Sequence, residues 1–347
     1  MSEKRTKEDL RELQALPLDL KILKTKNRIK EWYNYFGGQV YVSFSGGKDS
    51  TVLLHIAREL YPDIEAVFVN TGLEYPEIQK FVKTFDNVTI LRPKMRFDEV
   101  IKKYGYPIIS KDISMTIHYA KQNNAEWAWK RLNGINAKTD EPSEYREKRY
   151  GKYKPLTQVD FNCSNWCCLV MKEKPLHEIE KTKKPIIGIL AEESERRTDA
   201  WLKTGCNAFD SKKPTSKPMS FWTEQDVLQY IKENNIPIAS VYGDVVYKEN
   251  PDQIRIEDYG LENCGTEKLY TTGCDRTGCI FCAFGAHLEK GKSRFERLKE
   301  THPRQYKYCI GGGEYVNGVW QPSKEGLGMG HVFDELNKIY GKDFIKY

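Results

Sequence analysis

Between residues 39 and 104 short apolar runs alternate with amphipathic stretches, and no other property of this chain restricts its fold as tightly. Gln39–Phe44, Ile64–Asn70 and Val88–Leu91 have the length and the β-branched or aromatic content of buried strands. Thr51–Leu60, Pro76–Phe85 and Phe97–Tyr104 carry helical spacing between them. Strands joined through helices run parallel, because such a connection is a crossover rather than a hairpin, and right-handed crossovers cover both faces of the sheet. The expected class is therefore α/β, with a Rossmann-like parallel sheet and helices on both faces. A later strand, Pro185–Leu190, and a helix, Thr223–Glu233, resume the pattern; the helix opens on a Thr with Asp226 three residues on, a variant of the capping box.

The segments around this core read differently. Residues 7–35 carry two charged amphipathic helices, with Pro17 at the break, expected to pack outside the main sheet. Residues 111–160 hold ten Lys or Arg interleaved with Tyr119, Trp127, Trp129, Tyr145, Tyr150 and Tyr153. Aromatic and basic residues together can stack on and neutralise nucleic acid, although a solvated, partly packed insertion is the commoner outcome of such a composition. The expected organisation is N-terminal helices over 1–35 and a nucleotide-binding α/β domain over 36–110 and 161–245. A helical and irregular insertion over 111–160 and a cysteine-bearing C-terminal region over 246–347, ending in a helix at His331–Tyr340, complete it. A net charge of +6 permits polyanionic partners, and no run reaches the roughly 18 apolar residues a bilayer requires. The opening Met1–Arg5 leads into polar sequence, so the expectation is a cytoplasmic protein without membrane contact.

The turn after the first strand, Ser45-Gly46-Gly47-Lys48-Asp49-Ser50, is where the chemistry begins. Between a strand and a helix, glycines let backbone approach an anion, the helix N-terminus offers free N–H groups, and Lys48 adds charge. Ser43, Ser45, Ser50 and Thr51 add hydroxyl donors. The Walker A spacing is absent. All nine cysteines lie beyond residue 162, and in a chain of this reading they suit metal ligation, catalysis or burial better than disulfides.

These strings resemble the PP-loop of the adenine nucleotide alpha hydrolases and, within that superfamily, the PAPS reductase family. Asn70-Thr71-Gly72 resembles the family's Asp-Thr-Gly, with Asn70 in place of Asp, and Leu91-Arg92-Pro93 resembles its Arg-Pro. Cys167-Cys168 followed by Lys172 and Pro175-Leu176, Trp222-Thr223 with Asp226-Val227, and Gly278-Cys279 with Cys282 match further family segments. The similarity runs over roughly residues 25–285. It implies that the loop residues Ser43, Ser45, Gly46, Gly47, Lys48, Asp49 and Ser50, with Asn70, Thr71 and Gly72, hold an adenine nucleotide, whether ATP, APS or PAPS. Arg92, Lys111, Lys172 and Arg197 are the further cations it implies, Lys48 and Asp49 the catalytic pair, with Asp49 also a candidate for orienting the loop or holding magnesium.

The same resemblance implies a [4Fe-4S] cluster on Cys167, Cys168, Cys279 and Cys282, and zinc is the competing occupant of four thiolates. Cys163 and Cys274 stand close enough in sequence to replace a ligand, while Cys206 and Cys264, each beside a glycine, read as structural or sulfur-carrying. In Glu192–Arg197 acidic residues stand where the reductases have an arginine-rich stretch. The reductases' mobile C-terminal cysteine has no counterpart here: the last cysteine is Cys309, outside that context. The leading expectation is thus an ATP-cleaving, adenylating sulfur transferase, acting on nucleic acid or with a sulfur-donor protein. APS or PAPS reduction, with Cys309 or a partner supplying the thiol, is the second, and a nucleotide-binding regulator or adaptor the third.

Overall fold

A computed structural model describes residues 5–248 and 268–347. Cys264 lies outside the described residues. The chain divides into two compact units, one made of Met1–Asn70, Glu74–Leu91 and Leu176–Thr277, the other of Thr71–Leu73, Arg92–Pro175 and Gly278–Tyr347.

In chain order the strands are β1 (Val40–Ser43), β2 (Ala66–Val69), β3 (Val88–Leu91), β4 (Ile108–Ile109), β5 (Lys184–Ile187), β6 (Asn207–Ala208), β7 (Thr215–Ser216), β8 (Val245–Tyr247), β9 (Leu269–Thr271) and β10 (Ala283–Phe284). A hairpin, β11 (Glu314–Val316) and β12 (Val319–Gln321), follows. The first unit is built on a six-stranded sheet of order β3-β2-β1-β5-β7-β6, parallel throughout except for the β6–β7 pair. Val40, Tyr41 and Val42 are all buried, as are Ala66, Val67 and Phe68. Successive strand residues point to opposite faces, so complete burial means that both faces are covered. That is the α/β arrangement the alternating pattern predicts. Strand β1 pairs with β2 on one side and with β5 on the other, so the chain's crossovers diverge at β1. In open α/β sheets the crevice outside the strand C-termini at such a switch point is where ligands bind.

The N-terminal helices are α1 (Lys7–Gln14) and α2 (Leu18–Tyr35), and α3 (Lys48–Leu60) follows the phosphate loop. The predicted break at Pro17 is the residue preceding α2. Along α2 the buried positions are Leu18, Lys21, Thr25, Ile29 and Trp32, a helical stripe that includes a lysine. The Lys21 ammonium is satisfied completely: it donates to Asp226 Oδ2 at 2.6 Å, to Asp226 Oδ1 at 2.8 Å and to the Gln14 carbonyl at 2.7 Å. Asp226 also accepts from the Thr223 backbone N–H at 2.6 Å, which completes the capping box of the helix Glu224–Glu233. One carboxylate thereby ties α2 to that helix, and Trp222 donates its indole N–H to Thr25 at 2.9 Å beside it.

In the second unit, residues 111–160 form helices Lys111–Asn123, Glu126–Leu132 and Glu144–Tyr150, then a tight turn of 3-10 helix at Gly151–Thr157. Their aromatics are engaged within the protein. Arg131 lies over Trp127 and Tyr150, Arg149 over Tyr145 and Tyr150, and Asp112 accepts from Arg131 at 3.2 Å and from Tyr150 at 2.7 Å. The basic and aromatic residues of this segment thus meet one another in cation–π and ionic pairs, some of them on the surface, where Tyr145 is 64% exposed. No helix among the described residues is long and apolar enough to cross a membrane.

Candidate functional site

The phosphate loop leaves β1 and enters α3. Gly46 sits at φ +72°, and a Cβ there would come within 2.8 Å of Ile78 Cγ2 and 2.9 Å of Val82 Cγ2. Both the left-handed backbone and the space exclude a side chain. Gly46→Ala is expected to destabilise the protein by about 1–3 kcal/mol, through positive-φ strain and displacement of the helix Pro76–Val82. A urea midpoint equal to that of the parent protein would show that the loop adapts without cost. The loop hydroxyls brace the loop itself: Ser50 Oγ donates to the Gly47 carbonyl at 2.9 Å and meets Ser45 Oγ at 3.0 Å, and Thr51 Oγ1 donates to the Gly47 carbonyl at 2.9 Å. Short hydroxyls at a helix start capture nearby backbone in this way. From the other side, β5 ends at Ile187, and a Cβ on Gly188 would lie 3.0 Å from the Asp49 carbonyl oxygen and 3.1 Å from the Ser50 nitrogen. Gly188 lets the end of β5 press on the first turn of α3.

Around this turn the first unit gathers cations. Lys48 is buried, with its ammonium 3.2 Å from Glu224 Oε1 and over the ring of Tyr242. Arg197 and Arg276 share Glu193, which forms an ion pair with each, at 3.1 Å for Arg276. Burial lowers the Arg197 pKa and Arg276 lowers it further, while Asp49 opposes the shift. Burial and then Arg197 likewise lower the Lys217 pKa. Burial raises the Asp49 carboxyl above its ordinary range, against Lys48, Arg276 and Arg197, with Glu224 adding to the rise. Tyr242 is pushed up to about 12 by burial, and its hydroxyl bonds Thr277. Glu192 accepts from the backbone N–H of Glu224 at 2.6 Å. Like charges held this close favour an anion among them.

Of the residues expected at the site, Ser43, the loop residues 45–50, Asn70 and Arg197 belong to this unit, and Lys48, Asp49 and Arg197 act on one another. Asn70 holds β2 to β3 by donating its backbone N–H to the Leu91 carbonyl at 2.8 Å. Thr71, Gly72, Arg92, Lys111 and Lys172 belong to the second unit. Sequence reasoning missed Gly188, Glu224, Tyr242, Arg276 and Lys217. Gly188 had a signal, since a glycine at the end of a strand marks a close backbone approach. The others come from separate segments with no shared local pattern.

The second unit assembles the cysteines. Cys167 and Cys168 end the short turn Trp166–Cys168, which widens into a π-helical turn over Leu169–Glu173, a feature often found at functional sites. The other pair flanks a tight turn in which the Cys282 N–H donates to the Cys279 carbonyl at 3.0 Å. Ile280 donates its N–H to the Leu73 carbonyl at 2.8 Å, and β10 continues the turn by pairing with β4. One helix, Phe97–Tyr104, touches both places: Phe97 stacks on Phe281 and Tyr104 on Trp166, at centroid distances of 6.3 and 5.3 Å.

The Cys167 thiol is pushed up by burial first and then by Cys279, Cys168 and Cys282. Burial, with Cys279 next, raises Cys282 to about 11. The four thiols therefore share one locale. Among the described residues no group of three or more His, Cys, Asp or Glu side chains is spaced to hold a metal ion, so the locale is not a closed coordination sphere. The donor set itself, four sulfurs, is that of a cubane cluster or a tetrathiolate zinc.

The remaining cysteines lie elsewhere. Cys163 is buried beside Ser114 and Lys121, and burial raises it to about 12. Cys274 belongs to the first unit, Cys206 lines a cavity there, and Cys309 is buried with its thiol 3.5 Å from Met329 Sδ. Burial also pushes the Cys309 thiol up, an environment opposite to that of a mobile nucleophile.

The sequence model described as the phosphoadenosine phosphosulfate reductase domain matches residues 39–108 and 116–284. Among curated proteins, the uncharacterized protein MJ0973 of Methanocaldococcus jannaschii is 25% identical over 314 residues, covering 86% of this chain and 56% of that protein. The adenosine 5'-phosphosulfate reductase of Staphylococcus haemolyticus is 25% identical over 216 residues, covering 62% of this chain and 70% of that one. The chain thus spans little more than half the length of the first of these relatives. Among solved structures, a phosphoadenylyl-sulfate reductase from Candida auris in a phosphate complex aligns at a TM-score of 0.34 and 14% identity, covering 76% of this chain and 97% of that one. The U34-tRNA thiolase NcsA from Methanococcus maripaludis with its [4Fe-4S] cluster aligns at 0.33 and 16%, covering 70% and 71%.

Proposed function

Because this chain belongs to the phosphoadenosine phosphosulfate reductase domain family, we propose that it binds an adenine nucleotide on the loop Ser45–Ser50 and uses ATP to adenylate an acceptor that then receives sulfur. The observation that carries this reading is the set of cations at the start of α3: Lys48, Arg197 and Arg276, paired with Glu224 and Glu193. A polyphosphate entering the crevice would displace those carboxylates from the cations. An acceptor oxygen then attacks the α-phosphorus, the bond to the β,γ-diphosphate breaks, and pyrophosphate leaves with its charge balanced by Lys48 and the two arginines. Asp49, beside these cations, orients the loop or a magnesium ion. A sulfur nucleophile subsequently displaces AMP from the activated acceptor.

The four thiols Cys167, Cys168, Cys279 and Cys282 would hold a [4Fe-4S] cluster, which supplies a site for binding and delivering sulfur. The burial of Cys309 argues against sulfonucleotide reduction through that thiol. The test is anaerobic incubation of the protein with ATP, APS and PAPS in parallel. Pyrophosphate and AMP from ATP, with water taking the place of the acceptor oxygen at the α-phosphorus, and no sulfite from the other two, is the expected result. Sulfite release from APS or PAPS in the presence of thioredoxin would replace this reading with reduction, and tight nucleotide binding without any product would replace it with a regulatory role.

A further inference from the structure

The first unit contains a cavity of about 320 Å³ whose lining shares no residue with the phosphate loop or its cations. Its floor is aromatic: Trp201 and Phe221 are buried, and Phe209 packs on Trp32 at a centroid distance of 5.1 Å. Three cations, Arg5, Lys24 and Arg28, reach it from the N-terminal segment and α2, and no carboxylate is among the described lining residues. Gly205 makes room for one of them, since a Cβ there would lie 2.8 Å from the Arg5 guanidinium carbon. Trp201 is 5% exposed, and its buried indole N–H makes no strong hydrogen bond, only a weak one toward the Cys206 thiol. A thiol sulfur satisfies such a donor only weakly, and a ligand oxygen would satisfy it better. Arg28 is also paired with Glu31 at 2.7 Å, but that pair is exposed on both sides and exchangeable with an incoming anion.

We propose that this cavity binds a small planar organic anion, a single aromatic ring bearing a carboxylate or a phosphate. The acid group would meet Arg5, Lys24 and Arg28, and the ring would lie against Trp201, Phe209 and Phe221. The size suits this class, because 320 Å³ lies at the lower end of the roughly 300–1,000 Å³ typical of ligand pockets. Guanidinium groups recognise both acids through paired N–H donors, and the two sources differ in charge and shape. Cys206 at the wall supplies an independent reporter.

Titration calorimetry of the full chain with phenyl phosphate, benzoate, phenol and inorganic phosphate tests the proposal. Phenyl phosphate or benzoate is expected to bind with a Kd on the order of 0.1–1 mM, and the tighter of the two identifies the acid group. Phenol and inorganic phosphate should bind at least about tenfold more weakly, since each lacks half of the recognition, and Arg5→Gln with Arg28→Gln should cost about tenfold or more. Binding of the aryl anion should persist in Lys48→Ala, which separates it from the nucleotide site. In the unaltered protein the tighter ligand should slow iodoacetamide labelling of Cys206 relative to Cys274, a measurement that stands even if the arginine variants fold poorly. No heat from either aryl anion, equal affinity for inorganic phosphate, or saturating ligand that leaves Cys206 labelling unchanged would each overturn the assignment.

Discussion

Lys48→Ala is expected to release pyrophosphate from ATP on the order of 10²–10³-fold more slowly than the parent protein, at nearly unchanged stability. Lys48 is the first residue of α3, buried to 6% exposure, at the helix end where the backbone N–H groups also point. A charge so placed acts on the phosphate oxygens with little water between, and it gains most as negative charge moves onto the leaving pyrophosphate. Its partner, Glu224, is 45% exposed, so the pair contributes little to folding and its loss leaves the carboxylate in contact with water. Stopped-time pyrophosphate assays with a thermal melt of each protein separate the two effects. A variant that turns over ATP at the parental rate would remove the loop from the reaction.

The largest effect on stability is expected at Asp226, in the first turn of the helix that begins with Glu224. Asp226→Ala should lower the unfolding free energy by about 3–5 kcal/mol, because it strands the Lys21 ammonium in a site of 2% exposure. It also removes the acceptor that caps the helix Glu224–Glu233. Lys21→Met in the same chain should recover much of the loss, since an unpaired buried charge costs more than an apolar replacement of similar length. Urea unfolding of the parent, both single variants and the double variant gives the coupling directly. A loss under about 1 kcal/mol for Asp226→Ala would mean that water reaches Lys21 once the carboxylate is gone.

The sheet and the phosphate loop were legible because their signals are local. Val40–Val42 and Ala66–Phe68 are apolar on every residue, which a strand covered on both faces demands, and the glycines of the loop announce the turn. What was not legible depends on partners far along the chain. The pairing of β1 with β5 cannot be read from either strand, yet it decides where the crevice lies. Arg276, Tyr242 and Glu224 look like ordinary surface residues in their own segments and acquire meaning through Glu193, Lys48 and Thr277. Lys21 was closer to readable: it stands in the stripe of Leu18, Thr25, Ile29 and Trp32, where a charge requires a buried counter-ion. In residues 111–160 composition named the ingredients but not which side chains meet, because Arg131 over Trp127 has the same sequence signature as both groups facing solvent.

Gly188 leaves a consequence for anyone who would re-engineer this loop. A combinatorial library over residues 45–50 would search a space with one wall already built, by a strand encoded far downstream that lies so close to the backbone of Asp49 and Ser50 that even a methyl group between them would force a shift. Redesigned loops that bend toward β5 would have to push that strand aside, and a loop transplanted into another sheet keeps its shape best when its neighbour strand, with the glycine, travels as part of the same cassette.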